Sequence, residues 1–379
     1  MSREFTGQFR KPESSARLVK LKDVCERALS NLRQSDVVGE NGPYPVFGAP
    51  GQIGSVGFYH QDRPYVAVVK DGAGIGRTML LPEKSSVIGT LQYLLPKANV
   101  RVGYLKYAVQ HMHLEKYFSG ATIPHIYFRD YKNESFRLPS LQEQEEIVAL
   151  LARVERITQN RRVQLSALDE LVKARFVEMF GDESNSKEWP VVSVDSVADS
   201  TVGVVIKPAQ YYTDAEHGVR AFRSLNVGPM CIKDASWVYF SREGHAKNAK
   251  SQLRENDLLV VRSGAPGTAC VVPRKYAGSN AIDVIIVRPD TTKVNPHYLC
   301  MFTNLPHGKR QIDDGVGGAA QQHFNVGKYS KLRLMLPPLA LQNRFATFVS
   351  RVESAKASVE RALGETQTLF DSLMQEYFG

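Results

Sequence analysis

Residues 138–181, LPSLQEQEEIVALLARVERITQNRRVQLSALDELVKARFVEMFG, and residues 336–379, LPPLALQNRFATFVSRVESAKASVERALGETQTLFDSLMQEYFG, align without a gap over 44 positions, 12 of them identical. The offset of 198 carries upstream: Ser119-Gly120-Ala121 meets Gly317-Gly318-Ala319, His125 meets His323, and Tyr131 meets Tyr329. Further back the register loosens, as loops of different length require. Val69-Lys70-Asp71-Gly72-Ala73 is still similar to Val261-Arg262-Ser263-Gly264-Ala265, and Val19-Lys20-Leu21-Lys22-Asp23-Val24 to Val192-Ser193-Val194-Asp195-Ser196-Val197. A chain repeated in this way is a duplication, and it alternates globular unit, helix, globular unit, helix.

The helical stretches open at a Leu-Pro pair and close at Phe-Gly, which suits a start near Pro and a Gly after the last turn. Ile147, Leu150, Leu151, Val154, Ile157, Leu165, Leu168, Leu171, Val172, Phe176 and Met179 recur at spacings of three and four, as do Phe345, Phe348, Val349, Val352, Ala355, Val359, Leu363, Leu369, Phe370, Leu373 and Tyr377. About 36 residues at 1.5 Å each predict rods of roughly 54 Å. Arg161 and Gly364 are the weak points of the two seams. Neither helix is expected to find a partner in its own globular unit, so the two are expected to pack on each other along a coiled-coil-like seam.

The globular stretches read as mixed α/β (α+β). Short β-type runs at Tyr65–Val69, Met79–Leu81, Leu258–Val261, Cys270–Val272 and Val284–Val287 are bounded by Gly, Pro or Asp, and Val102 to Tyr117 and Pro296 to Leu305 have helical spacing. The expected division is a polar leader at 1–16, globular domains at 17–137 and 182–335, and helices at 138–181 and 336–379. A hydrophobic fraction of 43% supports packed cores. No apolar run approaches the roughly 18 residues of a membrane span, so no membrane association is expected. Cys25, Cys231, Cys270 and Cys300 form no Cys-x-x-Cys pair, which speaks against a disulfide scaffold or a cysteine zinc site and fits a reduced, cytoplasmic protein. His111-Met112-His113 lacks the carboxylate framework of a metal site.

The formal charge of +9 is unevenly placed: residues 1–137 carry +7 and 182–335 carry +4, while the two helical stretches carry −1 each. Phosphate backbones attract Lys and Arg, so the globular units are the candidate nucleic-acid readers and the helices the spacers. Catalytic signatures fail. Gly72-Ala73-Gly74-Ile75-Gly76 has the wrong spacing for a dinucleotide loop and sits between two strand-like runs, which reads as a structural turn. No G-x-x-x-x-G-K-[ST] sequence occurs. Asn295-Pro296-His297-Tyr298 echoes an amino-methyltransferase motif, but His297 breaks it and no cofactor loop precedes it. Pro289-Asp290 with Lys293 places no second carboxylate on a metal.

Two variable basic domains, each followed by a similar long helix, resemble the specificity (S) subunit of type I restriction–modification systems over nearly the whole chain. The most specific segment is Leu138-Pro139-Ser140-Leu141-Gln142-Glu143-Gln144 with Leu336-Pro337-Pro338-Leu339-Ala340-Leu341-Gln342, similar to the family's LPPLxEQ junction, though Leu341 stands where Glu is usual. Gly120 to His125 and Gly318 to His323 are similar to its G-x-T-Q-x-x segment, of which the first copy lacks the Gln. The resemblance implies two target-recognition domains, each reading one half of a bipartite, asymmetric site on double-stranded DNA, and helices that pair as an antiparallel coiled coil and fix the gap. It implies two docked methyltransferase (M) subunits carrying S-adenosylmethionine, no catalysis and no cofactor in this chain, and a motor–nuclease (R) subunit where restriction accompanies modification. An architectural or regulatory DNA-binding protein with a dimerising coiled coil, or a self-contained DNA methyltransferase, are the alternatives. The candidate DNA contacts lie beside the repeated turns: Lys70, Arg77, His125, Arg129 and Lys132, then Arg262, Gln321, Gln322, His323 and Lys328. Arg and Gln suit base edges and Lys suits phosphate. His125 and His323 fit a shared scaffold role equally well.

Overall fold

A computed structural model of the chain describes residues 16–120, 124–316 and 324–379. It divides into two compact units, one formed by residues 1–162 with 361–379 and the other by residues 163–360. Each unit is therefore one globular domain together with half of each long helix.

The centre of the first unit is an antiparallel sheet in the order Cys25–Leu29, Leu91–Pro96, Tyr65–Val69, Thr78–Leu81. The second unit repeats that order with Ala198–Val202, Val284–Pro289, Leu258–Val261, Ala269–Val271. Tyr65–Val69 and Leu258–Val261 are buried on both faces, which explains why these runs are continuously apolar. Val66 and Val68 join the core that contains the helices, whereas Tyr65, Ala67 and Val69 join a second core on the opposite face. Leu258 and Val260 part from Leu259 and Val261 in the same way.

The opposite face carries a smaller sheet in each unit. In the first it is Gly51–Val56, Tyr44–Gly48 and Ser86–Val87; in the second it is Tyr212–Thr213, Val238–Phe240, Val219–Phe222 and Asn280–Ala281. Both contain a parallel pairing, Phe47 with Val87 and Phe222 with Ala281. A two-stranded ribbon closes each domain, Arg17–Lys20 with Ser135–Leu138 and Val191–Ser193 with Arg333–Met335. The helix foreseen from Val102 to Tyr117 ends at His111. His113 takes a left-handed φ of 51°, and a separate single turn covers Leu114–Tyr117.

The long helices run Leu141–Phe180 and Leu339–Phe378, 40 residues each, or about 60 Å. Gly181 follows the first at a φ of +87°, its N–H on the Val177 carbonyl at 2.8 Å, the left-handed stop that Gly permits. The expectation that neither helix packs on a globular domain is corrected. Ile147, Leu151 and Val154 share the first unit's core with Phe370, Leu373, Tyr377, Tyr104 and Phe136. Val172, Phe176 and Phe180 share the second's with Phe345, Val349, Val352 and Tyr298. Heptad spacing alone does not distinguish a helix partner from a domain face. The helix segments also meet each other and run antiparallel. In the second unit Lys356 pairs with Asp169 at 2.8 Å, Arg175 lies over the Phe348 ring, and Phe176 meets Phe345. In the first, Arg161, the polar break in the seam, donates to the Ala362 carbonyl.

Candidate nucleic-acid interface

The repeated turn follows the most buried strand of each domain. In the first unit the hairpin from Tyr65–Val69 to Thr78–Leu81 holds Gly72, Gly74 and Gly76 at φ between +81° and +85°. The glycines thus close an antiparallel hairpin, and they open no helix that could cradle a phosphate. The chain returns to this turn some fifty residues later: Ile126 N donates to the Lys70 carbonyl and Gly72 N to that of Pro124, both at 2.9 Å. The second unit keeps the contact, with Phe324 N on the Arg262 carbonyl at 3.0 Å. The sequence repeat is thus preserved at the level of single backbone hydrogen bonds.

Lys70, His125 and Arg129 are brought together around a residue that the sequence did not single out. Asp71 meets Lys70 Nζ at 2.6 Å through one oxygen and His125 Nδ1 at 2.7 Å through the other. The His125 ring stacks on Tyr127, centroids 6.3 Å apart, and the Arg129 guanidinium covers Tyr127 at 4.7 Å. Lys70 is only 23% exposed, whereas Arg129 and Tyr127 face solvent. Arg77 lies apart from this group, exposed, with Nη1 on the Ala49 carbonyl at 2.9 Å. Lys132 caps the short helix Phe128–Tyr131, and its carbonyl accepts from Lys22 N at 3.0 Å.

In the second unit Arg262 is 16% exposed and engaged at two of its nitrogens. Nη1 meets Asp283 at 2.7 Å and Nε donates to the Phe324 carbonyl at 3.3 Å. Lys328 is exposed and its ammonium donates to the Gly315 carbonyl, beside the helix that Asn325 caps. Gln321, Gln322 and His323 lie outside the described residues. Asp71, Tyr127 and Asp283 were missed. Asp71 is legible beside Lys70 in Val-Lys-Asp-Gly, but Asp283 lies 21 residues from Arg262 and leaves no local signal.

The Asn-Pro-His-Tyr segment is structural. The Asn295 side chain accepts from His297 N at 2.9 Å as a helix cap, and Tyr298, fully buried, donates its hydroxyl to the Met335 carbonyl at 2.6 Å. Tyr104 makes the same bond to Arg137 at 2.7 Å in the first unit. Among the described residues no cluster of His, Cys, Asp and Glu is placed to hold a metal, and no helix is long and apolar enough to cross a membrane.

The junction residues Gln144 and Gln342 are both fully buried. Gln144 Oε1 accepts Arg101 N at 2.8 Å and its amide donates to Pro139 O at 2.9 Å and Asn99 O at 3.2 Å. Gln342 accepts Asn295 N at 2.8 Å and donates to Pro337 O at 2.7 Å. At the start of the first long helix Ser140 Oγ caps, accepting Glu143 N at 3.3 Å; Pro338 replaces it in the second.

The model of the type I restriction modification DNA specificity domain matches this chain twice, at residues 14–167 and 187–365. The chain is 21% identical over 281 residues to the type I restriction enzyme MjaIX specificity subunit of Methanocaldococcus jannaschii, covering 68% of this chain and 63% of that one. It is 21% identical over 290 residues to the EcoBI specificity subunit of Escherichia coli, covering 69% and 61%. The chain thus spans about three-fifths of the length of these relatives. Its fold is similar to that of the type I restriction–modification S subunit from M. genitalium, with a TM-score of 0.62, 12% identity and 97% of each chain covered. A chain from a structure concerned with complex assembly and conformational transition of the type I R-M system gives 0.57, 16% and 95% of each.

Proposed function

This chain belongs to the family of type I restriction–modification DNA specificity proteins, and from that premise we propose that its two domains each read one half of a bipartite, asymmetric site on duplex DNA. The observation that carries this reading is a shared scaffold with unlike exposed parts. Sheet order, junction glutamine and buried tyrosines recur, while the second sheets and the loops beside them differ in length and side chains. Two readers of different sequences on one frame require that division of labour.

In this reading the exposed Arg77, Arg129 and Lys328 engage phosphate or base edges, together with Lys132 and the Gln321-Gln322-His323 segment. Lys70, His125 and Arg262, tied to Asp71 and Asp283, shape the turns that present them. The paired helices act as the ruler between half-sites and as the docking surface for two methyltransferase subunits, which bring S-adenosylmethionine. A motor–nuclease subunit is the further partner for restriction. The chain itself carries out no chemistry and works in the cytoplasm. Selection of randomised duplexes by the full-length chain tests the reading. A gapped motif with two unlike halves is expected. A single contiguous motif, or a palindrome, would overturn it in favour of an architectural or regulatory DNA-binding protein.

A further inference from the structure

The two most exposed large hydrophobic side chains among the described residues are Ile206, at 78%, and Val38, at 76%. One falls in each unit, and both sit on the same connection. That connection is the loop leading from the outer strand of the four-stranded sheet, Ala198–Val202 or Cys25–Leu29, to the smaller second sheet. Each is followed at once by a left-handed residue, Lys207 at a φ of 44° and Gly39 at 86°. For a lysine that conformation is unfavourable, so the surrounding structure imposes it. An exposed apolar tip, Val205-Ile206 in the second unit and Val38 alone in the first, gains nothing from water, and its recurrence in two otherwise divergent loops calls for a shared reason.

Both loops spring from the backbone that holds the repeated basic turn. In the second unit Asp283 N donates to the Val204 carbonyl at 3.2 Å, and the Asp283 carboxylate holds Arg262. In the first, Gly89 N donates to the Leu32 carbonyl at 2.7 Å, and the adjoining Thr90 carbonyl accepts Lys70 N at 2.9 Å. The tips are also braced. Val37 is buried where a Cβ on Gly54 would come within 2.5 Å of its Cγ1, and Asp36 accepts Arg33 N at 2.8 Å. Beyond Lys207, Pro208 opens the single turn Pro208–Tyr211.

We propose that Ile206 and Val38 are apolar base-contact residues, one for each half-site, and this rests on the DNA-reading function proposed above. An aliphatic tip beside a basic turn meets DNA either by packing on a thymine methyl group or by entering a base step. A protein partner would instead call for a broad contiguous apolar patch, whereas the exposed Val205-Ile206 pair is bounded by Lys207 and a proline-led turn, and Val38 stands alone beside the buried Val37.

The test uses the full-length chain and the duplexes that it recovers from a randomised library. Ile206→Ala should weaken binding about tenfold, relax preference within one half-site only, and leave the salt dependence unchanged. Val38→Ala should do the same at the other half-site, and Ile206→Val should retain most of the affinity. Lys207→Ala should lower the salt slope by about one and keep the preference. Loss of affinity on replacing thymine by uracil identifies methyl packing, and a rise in 2-aminopurine emission identifies step insertion. Either supports the proposal and the absence of both overturns it. Unchanged affinity and preference in both alanine variants would also overturn it while leaving the DNA-reading function standing. A wild-type chain that recovers no preferred duplex would overturn both.

Discussion

The side-chain carbonyl of Gln342 accepts the backbone N–H of Asn295 at 2.8 Å, and Gln144 holds Arg101 at the same distance in the other unit. Arg101 and Asn295 stand immediately before the helices Val102–His111 and Pro296–Asn304. One buried amide therefore satisfies an orphan N–H at the start of a domain helix while its own nitrogen binds the carbonyl of the Leu-Pro junction. It fixes the angle at which each long helix leaves its domain.

Replacing Gln144 by Leu should keep the volume and leave the Arg101 N–H buried without an acceptor. A loss of about 1–3 kcal/mol is expected. Hydrogen exchange should show reduced protection at the start of the helix Val102–His111. Protection equal to wild type would refute the clip.

Glu155 accepts Lys106 Nζ and the Tyr107 hydroxyl, both at 2.7 Å, and Lys106 is only 15% exposed. Burial holds the Lys106 pKa below its ordinary value, and Glu155 opposes that shift. Glu155→Gln removes the opposing charge. Glu155 is itself partly exposed, so water relieves some of the effect, and about 1–3 kcal/mol of destabilisation is expected, short of a fully buried pair. Adding Lys106→Met should restore most of it, as urea unfolding of both variants would reveal.

Burial lowers the His297 pKa, in a cavity of about 870 Å³ also lined by Asp169, Glu353 and Lys356. The unfolded chain then binds the proton more readily than the folded one. Stability should fall as pH drops from the ordinary histidine value of about 6.5 toward the lower folded value, and the loss is complete below both. His297→Gln should flatten that part of the profile between about pH 7.5 and 5. Thermal unfolding curves with the same acid slope in both proteins would contradict this assignment.

The ruler requires matched insertions, because each unit contains half of both helices. Four residues added after Arg162 and four after Glu360, about one turn each, keep the seams nearly in phase. They lengthen the rod by roughly 6 Å, or about two base pairs. The recovered motif should widen its gap and keep both halves. An unchanged gap would make the helices a mere dimerisation handle.

Much of this architecture is written in the sequence. The Arg-Val-Glu triplets at 153–155 and 351–353 place Val154 and Val352 in the cores, and the first Phe-Gly pair is a helix stop, with Phe180 and Phe378 both buried. Tyr65–Val69 and Leu258–Val261 are legible because burial on both faces leaves them uniformly apolar, whereas Leu91–Pro96 beside the first, broken by the buried Gln92, is not. The assignment of helix halves to domains is not legible, since one apolar stripe serves a helix neighbour and a domain face alike. Nor is the fate of Lys70 and Arg262: a basic residue at a turn reads as a ligand contact until the fold supplies Asp71 and Asp283. Gln144 and Gln342 stood out only as a repeat, because their partners, Arg101 and Asn295, lie over forty residues upstream.

The central claim, two independent readers on one duplicated frame, is tested most directly by exchanging residues 182–335 for the corresponding domain of a relative. The motif bound by the hybrid is then determined by duplex selection. The account predicts that one half of the motif changes to the relative's and that the other half and the gap stay as they were. A hybrid in which both halves change, or neither does, would contradict it.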